Sequence, residues 1–130
     1  MKTTVNAIGK HLLIEFRNAS NLTDHVAALN VFTQAVSDAG ATLLKINLHS
    51  FKSEGMKKAG FTGVAILAES HMSIHTWPEK GYAALDIFMC GDAEPTLALP
   101  ALRAHFQPGS EDVITVQRTP DSIQIPSIIN

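Results

Sequence analysis

Between His71 and Met89 the chain reads as two short alternating segments hinged on Pro78, Glu79, Lys80 and Gly81, and this stretch restricts the fold most tightly. A period of two places His71, Ser73, His75 and Trp77 on one side of an extended strand and Met72, Ile74 and Thr76 on the other. After the turn-forming cluster, Ala83, Leu85, Ile87 and Met89 alternate in the same way. The pair is expected to form a hairpin. One face of the first strand is apolar, and the opposite face is polar and equipped for chemistry.

The flanking segments extend this into a sheet with helices. Lys10 to Phe16 (KHLLIEF) reads as an inner strand, and Gly63–Ala68 reads as a further strand. From Thr23 or Asp24, either of which can cap a helix, Ala28, Leu29, Phe32, Ala35 and Val36 fall on one helical face, and Gly40 supplies a stop. Thr42 to Leu48 alternates, with Leu44, Ile46 and Leu48 on one face. Ser50 to Gly60 has three lysines, two glycines and little periodicity, which reads as a loop able to serve as a lid. Pro95 opens a short helix whose buried stripe is Leu99, Leu102 and Phe106, and Val113 to Gln117 is a final strand. This order predicts an α+β fold, a two-layer sandwich with helices on one face of an antiparallel sheet.

Composition narrows the function classes. At 130 residues the chain fits one domain, 1–130, and 45% hydrophobic with 17% charged residues is ordinary for a folded protein. The net charge is -2 and the ten basic residues are scattered, so neither nucleic acid nor an anionic membrane is an expected partner. The amino terminus (Met1, Lys2, Thr3, Thr4) lacks an apolar signal core, and no apolar run approaches the ~20 residues of a membrane span, so the expected location is cytoplasmic. A single cysteine, Cys90, excludes an internal disulfide framework.

Chemistry-bearing residues concentrate between Ala68 and Gly91. A zinc site of His71, His75 and Cys90 has ligand types but no compact zinc spacing, and no metal is expected. A hydrolase in which His75 activates Cys90 is a second option, but it leaves the Glu69–Ser70 pair without a role.

The stretch GVAILAESHMSIHTWPEKGYAALDIFMCGD, Gly63 to Asp92, resembles the small bacterial and archaeal S-adenosylmethionine decarboxylases, and the likeness extends more loosely to IGKHLLIEF at Ile8 and GATLL at Gly40. The resemblance implies a pyruvoyl-dependent proenzyme that cuts itself between Glu69 and Ser70 into residues 1–69 and 70–130. Ser70 becomes the pyruvoyl cofactor after an N-to-O acyl shift and elimination. His75 acts as the processing base, with Thr62 where the family usually carries a serine that aids processing. Cys90 returns a proton to the decarboxylated carbon, which suits a weakly acidic thiol. Trp77 and Glu79 lie near the substrate's adenosine, stacking on adenine and accepting ribose hydroxyls, and Phe51 corresponds to a second aromatic. A ketone is the group this chemistry needs, because the carbanion left by loss of CO2 must be delocalised. The resemblance further implies a place in polyamine (spermidine) synthesis and a homodimer with active sites near the subunit interface. Ala83, Leu85, Ile87 and Met89 are expected to form the apolar sheet face that a second copy covers. Two alternatives stand beside this reading: a pyruvoyl-dependent ornithine or arginine decarboxylase, and an unprocessed regulatory homologue.

Overall fold

The structure is a computed structural model that describes residues 8–54 and 58–129. Its seven strands form one antiparallel sheet: β1 (Gly9–Arg17), β2 (Leu43–Ser50), β3 (Phe61–Leu67), β4 (Ser70–Trp77), β5 (Tyr82–Cys90), β6 (Ser110–Arg118) and β7 (Ile123–Ile129). They lie in the order β2-β3-β4-β5-β1-β6-β7. Two helices, α1 (His25–Asp38) and α2 (Leu99–Phe106), pack on each other and on one face of the sheet. The expected α+β sandwich is the architecture observed.

Alternation explains why the layers meet as they do. Leu12, Ile14 and Phe16 of β1, Met72 and Ile74 of β4, and Ala83, Leu85, Ile87 and Met89 of β5 are all buried in one cluster. The same cluster contains Ala28, Phe32, Ala35 and Val36 of α1 and Leu99, Leu102 and Phe106 of α2. The α1 amino terminus is capped by Asp24, whose Oδ1 accepts the Ala27 N–H at 2.9 Å and satisfies one of the helix's orphan donors.

Four sequence expectations are corrected. Ala83, Leu85, Ile87 and Met89 do not form a free face: they lie beneath the helices, and the open face of β5 carries Tyr82, Ala84, Asp86, Phe88 and Cys90. A register shift between Leu43 and Lys45 turns Leu44 outward to 63% exposure, so Leu43, Ile46 and Leu48 supply the β2 contacts to the core. Leu29 is exposed on α1, outside the buried stripe. Strand β7 was not foreseen, because Pro126 interrupts its pattern; β7 is the sheet's edge, where proline is tolerated. In the expected 50–60 loop a 3-10 turn covers Phe51–Glu54, while residues 55–57, like the amino terminus, fall outside the described residues. Among the described residues no helix is long and apolar enough to cross a membrane.

Candidate active site

With the helix-facing side of the sheet filled by apolar residues, the polar positions are left on the other side. His71, Ser73, His75 and Trp77 of β4 share that open face with His11, Leu13 and Glu15 of β1. Three clusters result, two at opposite ends of β4 and one between them.

At the amino-terminal end, Leu67 pairs with Ser70, so Ala68 and Glu69 form a two-residue hairpin loop. Loops this tight favour positive φ at their central residues, usually supplied by Gly or Asn. Neither Ala68 nor Glu69 adopts it; the reversal falls on Ser70, at φ 153°. Only glycine enters this region freely, and a serine held there stores strain of order 1–3 kcal/mol. The Glu69 carbonyl, which precedes Ser70, accepts the Cys90 backbone N–H at 3.1 Å and the Cys90 thiol at 2.9 Å. Two donors on one carbonyl oxygen polarise it and would stabilise negative charge developing there.

At the carboxy-terminal end, Thr62 Oγ1 lies 2.7 Å from His75 Nδ1 and 3.5 Å from the Ile74 carbonyl. Phe51, distant in sequence, joins Trp77 and Glu79 in lining one cavity of about 300 Å³ with Gly60, Thr76 and Pro78. A neighbouring open-face cavity of about 480 Å³ is lined by His49, Thr62, Ser73 and His75, among others. The Trp77 ring stacks on Tyr82, with centroids 5.1 Å apart and planes 19° from parallel. Tyr82 in turn donates to Glu15; that hydrogen bond, with burial added, pushes its phenol up to about 12.

Between the two ends, Asp86 is surrounded. His11 Nε2 lies 2.7 Å and His71 Nε2 3.0 Å from Asp86 Oδ2, while Ser73 donates to Oδ1. Burial pushes this carboxyl up, but the hydrogen bonds from His11, Ser73 and His71 outweigh it and hold the group well below the usual carboxylate range. Among the described residues this is the one His/Cys/Asp/Glu group with ligand atoms close enough for a metal, all within 4.8 Å. Its second contacts do not suit one. Arg118 Nη1 approaches His11 Nδ1 at 3.4 Å and can only donate, so Nδ1 supplies the lone pair and Nε2 carries the proton. A metal would need that Nε2 lone pair.

Residues 10–119 match the family model described as S-adenosylmethionine decarboxylase. An S-adenosylmethionine decarboxylase proenzyme of Methanococcus aeolicus is 43% identical over 114 residues, covering 85% of this chain and 93% of the relative. One from Thermomicrobium roseum is 37% identical over 115 residues, covering 88% and 96%. The chain belongs to the S-adenosylmethionine decarboxylase family. The crystal structure of the adenosylmethionine decarboxylase from Aquifex aeolicus superposes with a TM-score of 0.72 at 27% identity, covering 92% of this chain and all of that one.

Within that family frame, the residues singled out from sequence fall into two groups. Glu69, Ser70 and Cys90 meet at one end of β4; Thr62, His75, Trp77, Glu79 and Phe51 gather at the other. His75 pairs with Ala84, six residues along β5 from Cys90, a separation of about 20 Å at the usual strand rise. A Cys90–His75 hydrolase pair and a His71, His75, Cys90 metal set are therefore not formed within one chain. Sequence reasoning missed Asp86, His11, Tyr82 and Glu15. Their signal was the parity of β1 and β5, which puts all four on the open face once the helix-facing residues are known.

Proposed function

We propose that this family member is a proenzyme that cuts itself between Glu69 and Ser70 and, once processed, decarboxylates S-adenosylmethionine with a pyruvoyl group derived from Ser70. The observation that carries the reading is the Glu69 carbonyl, held by two donors from Cys90 and followed by a serine in a strained conformation.

In the first step Ser70 Oγ attacks the Glu69 carbonyl carbon. The C–O bond forms, the Glu69–Ser70 C–N bond breaks, and the hydroxyl proton passes to the freed nitrogen, leaving an ester. Cys90 N–H and thiol receive the charge that develops on the carbonyl oxygen. A base then takes the Ser70 α-proton, the Cβ–O bond breaks, and Glu69 departs as a carboxylate; water hydrolyses the remaining enamine and ammonia leaves. His75 suits the base. If Thr62 donates to the Ile74 carbonyl, it accepts from His75 Nδ1–H, which leaves Nε2 with its lone pair outward.

That His75 belongs to a second copy. It lies five residues from Ser70 on one extended strand, about 16 Å away, too far for proton transfer. The open face that carries both ends also exposes Leu13, Val64 and Ile66, at 43%, 38% and 47%. A homodimer packed through this face, with its β4 strands reversed, would bring the Thr62–His75 end of each copy to the partner's Ser70.

Residue 70 would hold the pyruvoyl group, which would supply an electron sink for the carbanion formed on loss of CO2. Cys90, whose thiol lies against the Glu69 carbonyl next to residue 70, would be the proton source for that carbon. Phe51 and Trp77 offer aromatic faces for adenine, and Glu79 offers acceptors for the ribose hydroxyls. The product would feed polyamine synthesis, and a working free thiol fits a reducing, cytoplasmic setting.

Intact mass measurement tests the cut: fragments 1–69 and 70–130 are expected, and a lasting single 130-residue species refutes it. Co-production of Ser70→Ala and His75→Ala chains tests the dimer. Neither cleaves alone to completion, His75→Ala stalling at a hydroxylamine-sensitive ester; mixed dimers recover cleavage of the His75→Ala chain if the base comes from the partner. No recovery would place His75 in its own chain's site.

A further inference from the structure

We infer that the Glu69 side chain is a positioning group for self-cleavage: by clamping onto Thr42 it fixes the Ala68–Glu69 turn and drives the backbone reversal onto Ser70. This rests on the reading of Glu69–Ser70 as the bond that is cut.

Glu69 is tethered on two sides. Its Oε1 accepts the Thr42 backbone N–H at 2.8 Å, and Oε2 lies 3.4 Å from the Thr42 hydroxyl. The Thr42 carbonyl accepts the Ala68 N–H at 2.9 Å. Strand β2 thus continues its pairing with β3 one residue past Leu43–Leu67, and the Glu69 carboxylate stands in for the next backbone carbonyl. On the other side, the Glu69 carbonyl is fixed by Cys90 at the end of β5. Ser70 must then enter β4 in register with Met89. The residue before the bond and the strand after it are both held, so the mismatch between them collects in the Ser70 φ.

The β4–β5 connection shows what an unstressed turn does in the same sheet. There the positive φ, 63°, falls on Gly81, which has no Cβ to resist it, and the Gly81 N–H returns to the Pro78 carbonyl. The β3–β4 turn has no glycine, and its only positive φ is at the residue whose hydroxyl must attack. Acyl transfer from nitrogen to oxygen breaks the Glu69–Ser70 C–N bond and releases that constraint, so strain there raises the starting state relative to the ester. The clamp has no part in the chemistry itself. It acts through the backbone.

The test follows conversion of freshly synthesised full-length chain to its two fragments, with hydroxylamine sampling for the ester. Glu69→Ala should slow cleavage by about tenfold or more, equivalent to about 1.4 kcal/mol of barrier, without accumulating ester. Thr42→Pro, which removes the N–H from the other side of the clamp, should give a similar loss, and the two together no more than either alone. Glu69→Gln keeps an acceptor oxygen and should stay within about threefold of the parent. The paired change Ala68→Asn with Glu69→Gly supplies a relaxed two-residue turn. In a Ser70→Ala background it should raise the melting temperature, while with Ser70 present it should cut more slowly. A merely structural role predicts the opposite link, with cleavage tracking stability. If the parent cleaves but Glu69→Ala and the relaxed turn cleave at its rate, the inference fails and the cleavage reading stands. If the parent itself never cleaves, the cleavage reading fails first.

Discussion

Thr76 is the one buried polar side chain among the described residues, at 6% exposure, and it sits between His75 and Trp77. Its Oγ1 accepts the Phe61 N–H at 2.9 Å and donates to the Leu22 carbonyl at 2.8 Å, tying the end of β4 to the start of β3 and to the segment before α1. Thr76→Val keeps the shape and removes both bonds. A buried orphan donor costs about 1–3 kcal/mol and the lost bond to the carbonyl about 1, so the expected destabilisation is about 2–4 kcal/mol. For a chain of this size each kcal/mol moves the midpoint by roughly 3–5 °C, giving a fall of roughly 6–20 °C. The measurement belongs in a Ser70→Ala background, where the chain stays whole and two-state urea unfolding can be read directly. Thr76→Ser retains the hydroxyl and should lose about 1 kcal/mol, from its missing methyl. A Thr76→Val loss under about 0.5 kcal/mol, or a Thr76→Ser loss equal to it, would refute the assignment of the cost to the two hydrogen bonds.

Two further outcomes follow from the open face. Asp86 has a folded pKa lowered beneath its unfolded value, so its contribution to stability is complete above about pH 4 and is lost as pH falls through the lower folded value. The stability gap between Ser70→Ala protein and the same chain with Asp86→Asn should therefore narrow from pH 5 to pH 2; a pH-independent gap would refute it. Trp77→Ala should lower kcat/KM for S-adenosylmethionine by about tenfold or more, the value of a lost base-stacking aromatic, while self-cleavage proceeds. Activity on ornithine or arginine alone would remove the adenosine roles of Trp77, Glu79 and Phe51.

What the sequence disclosed follows the range of the forces involved. The period of two in β4 and β5 and the stripe of α2 are set by burial within each element, so they were legible residue by residue. Leu44 and Leu29 were misplaced because a bulge and the width of the helix interface depend on neighbours distant in sequence. The direction of each β5 face was misjudged for the same reason: alternation defines two faces and is silent on which one the helices cover. The reading of Ser70, His75 and Cys90 as one set rests on the motif, since no local pattern pairs them. Nothing local in the sequence says that Glu69 faces Thr42, 27 residues earlier, or that Asp86 gathers His11 and His71.

The separation of the two ends of β4 has a consequence for how such a chain can work. Strand β4 carries Ser70 at one end, beside Cys90 of β5, and His75 and Trp77 at the other, with Ser70 and His75 about 16 Å apart by strand rise. On the proposed roles, one copy holds its attacking serine strained but without a base, and only the base-catalysed elimination waits for assembly. Ser70, Glu69 and Cys90, the groups the proposed acyl shift would use, meet within one chain. Ester should then form in a protomer prevented from dimerising, as with a charge placed at Leu13, Val64 or Ile66 on the open face, and should persist there until hydroxylamine cleaves it. Complete conversion to the two fragments in such a monomer would show that one chain holds the whole site.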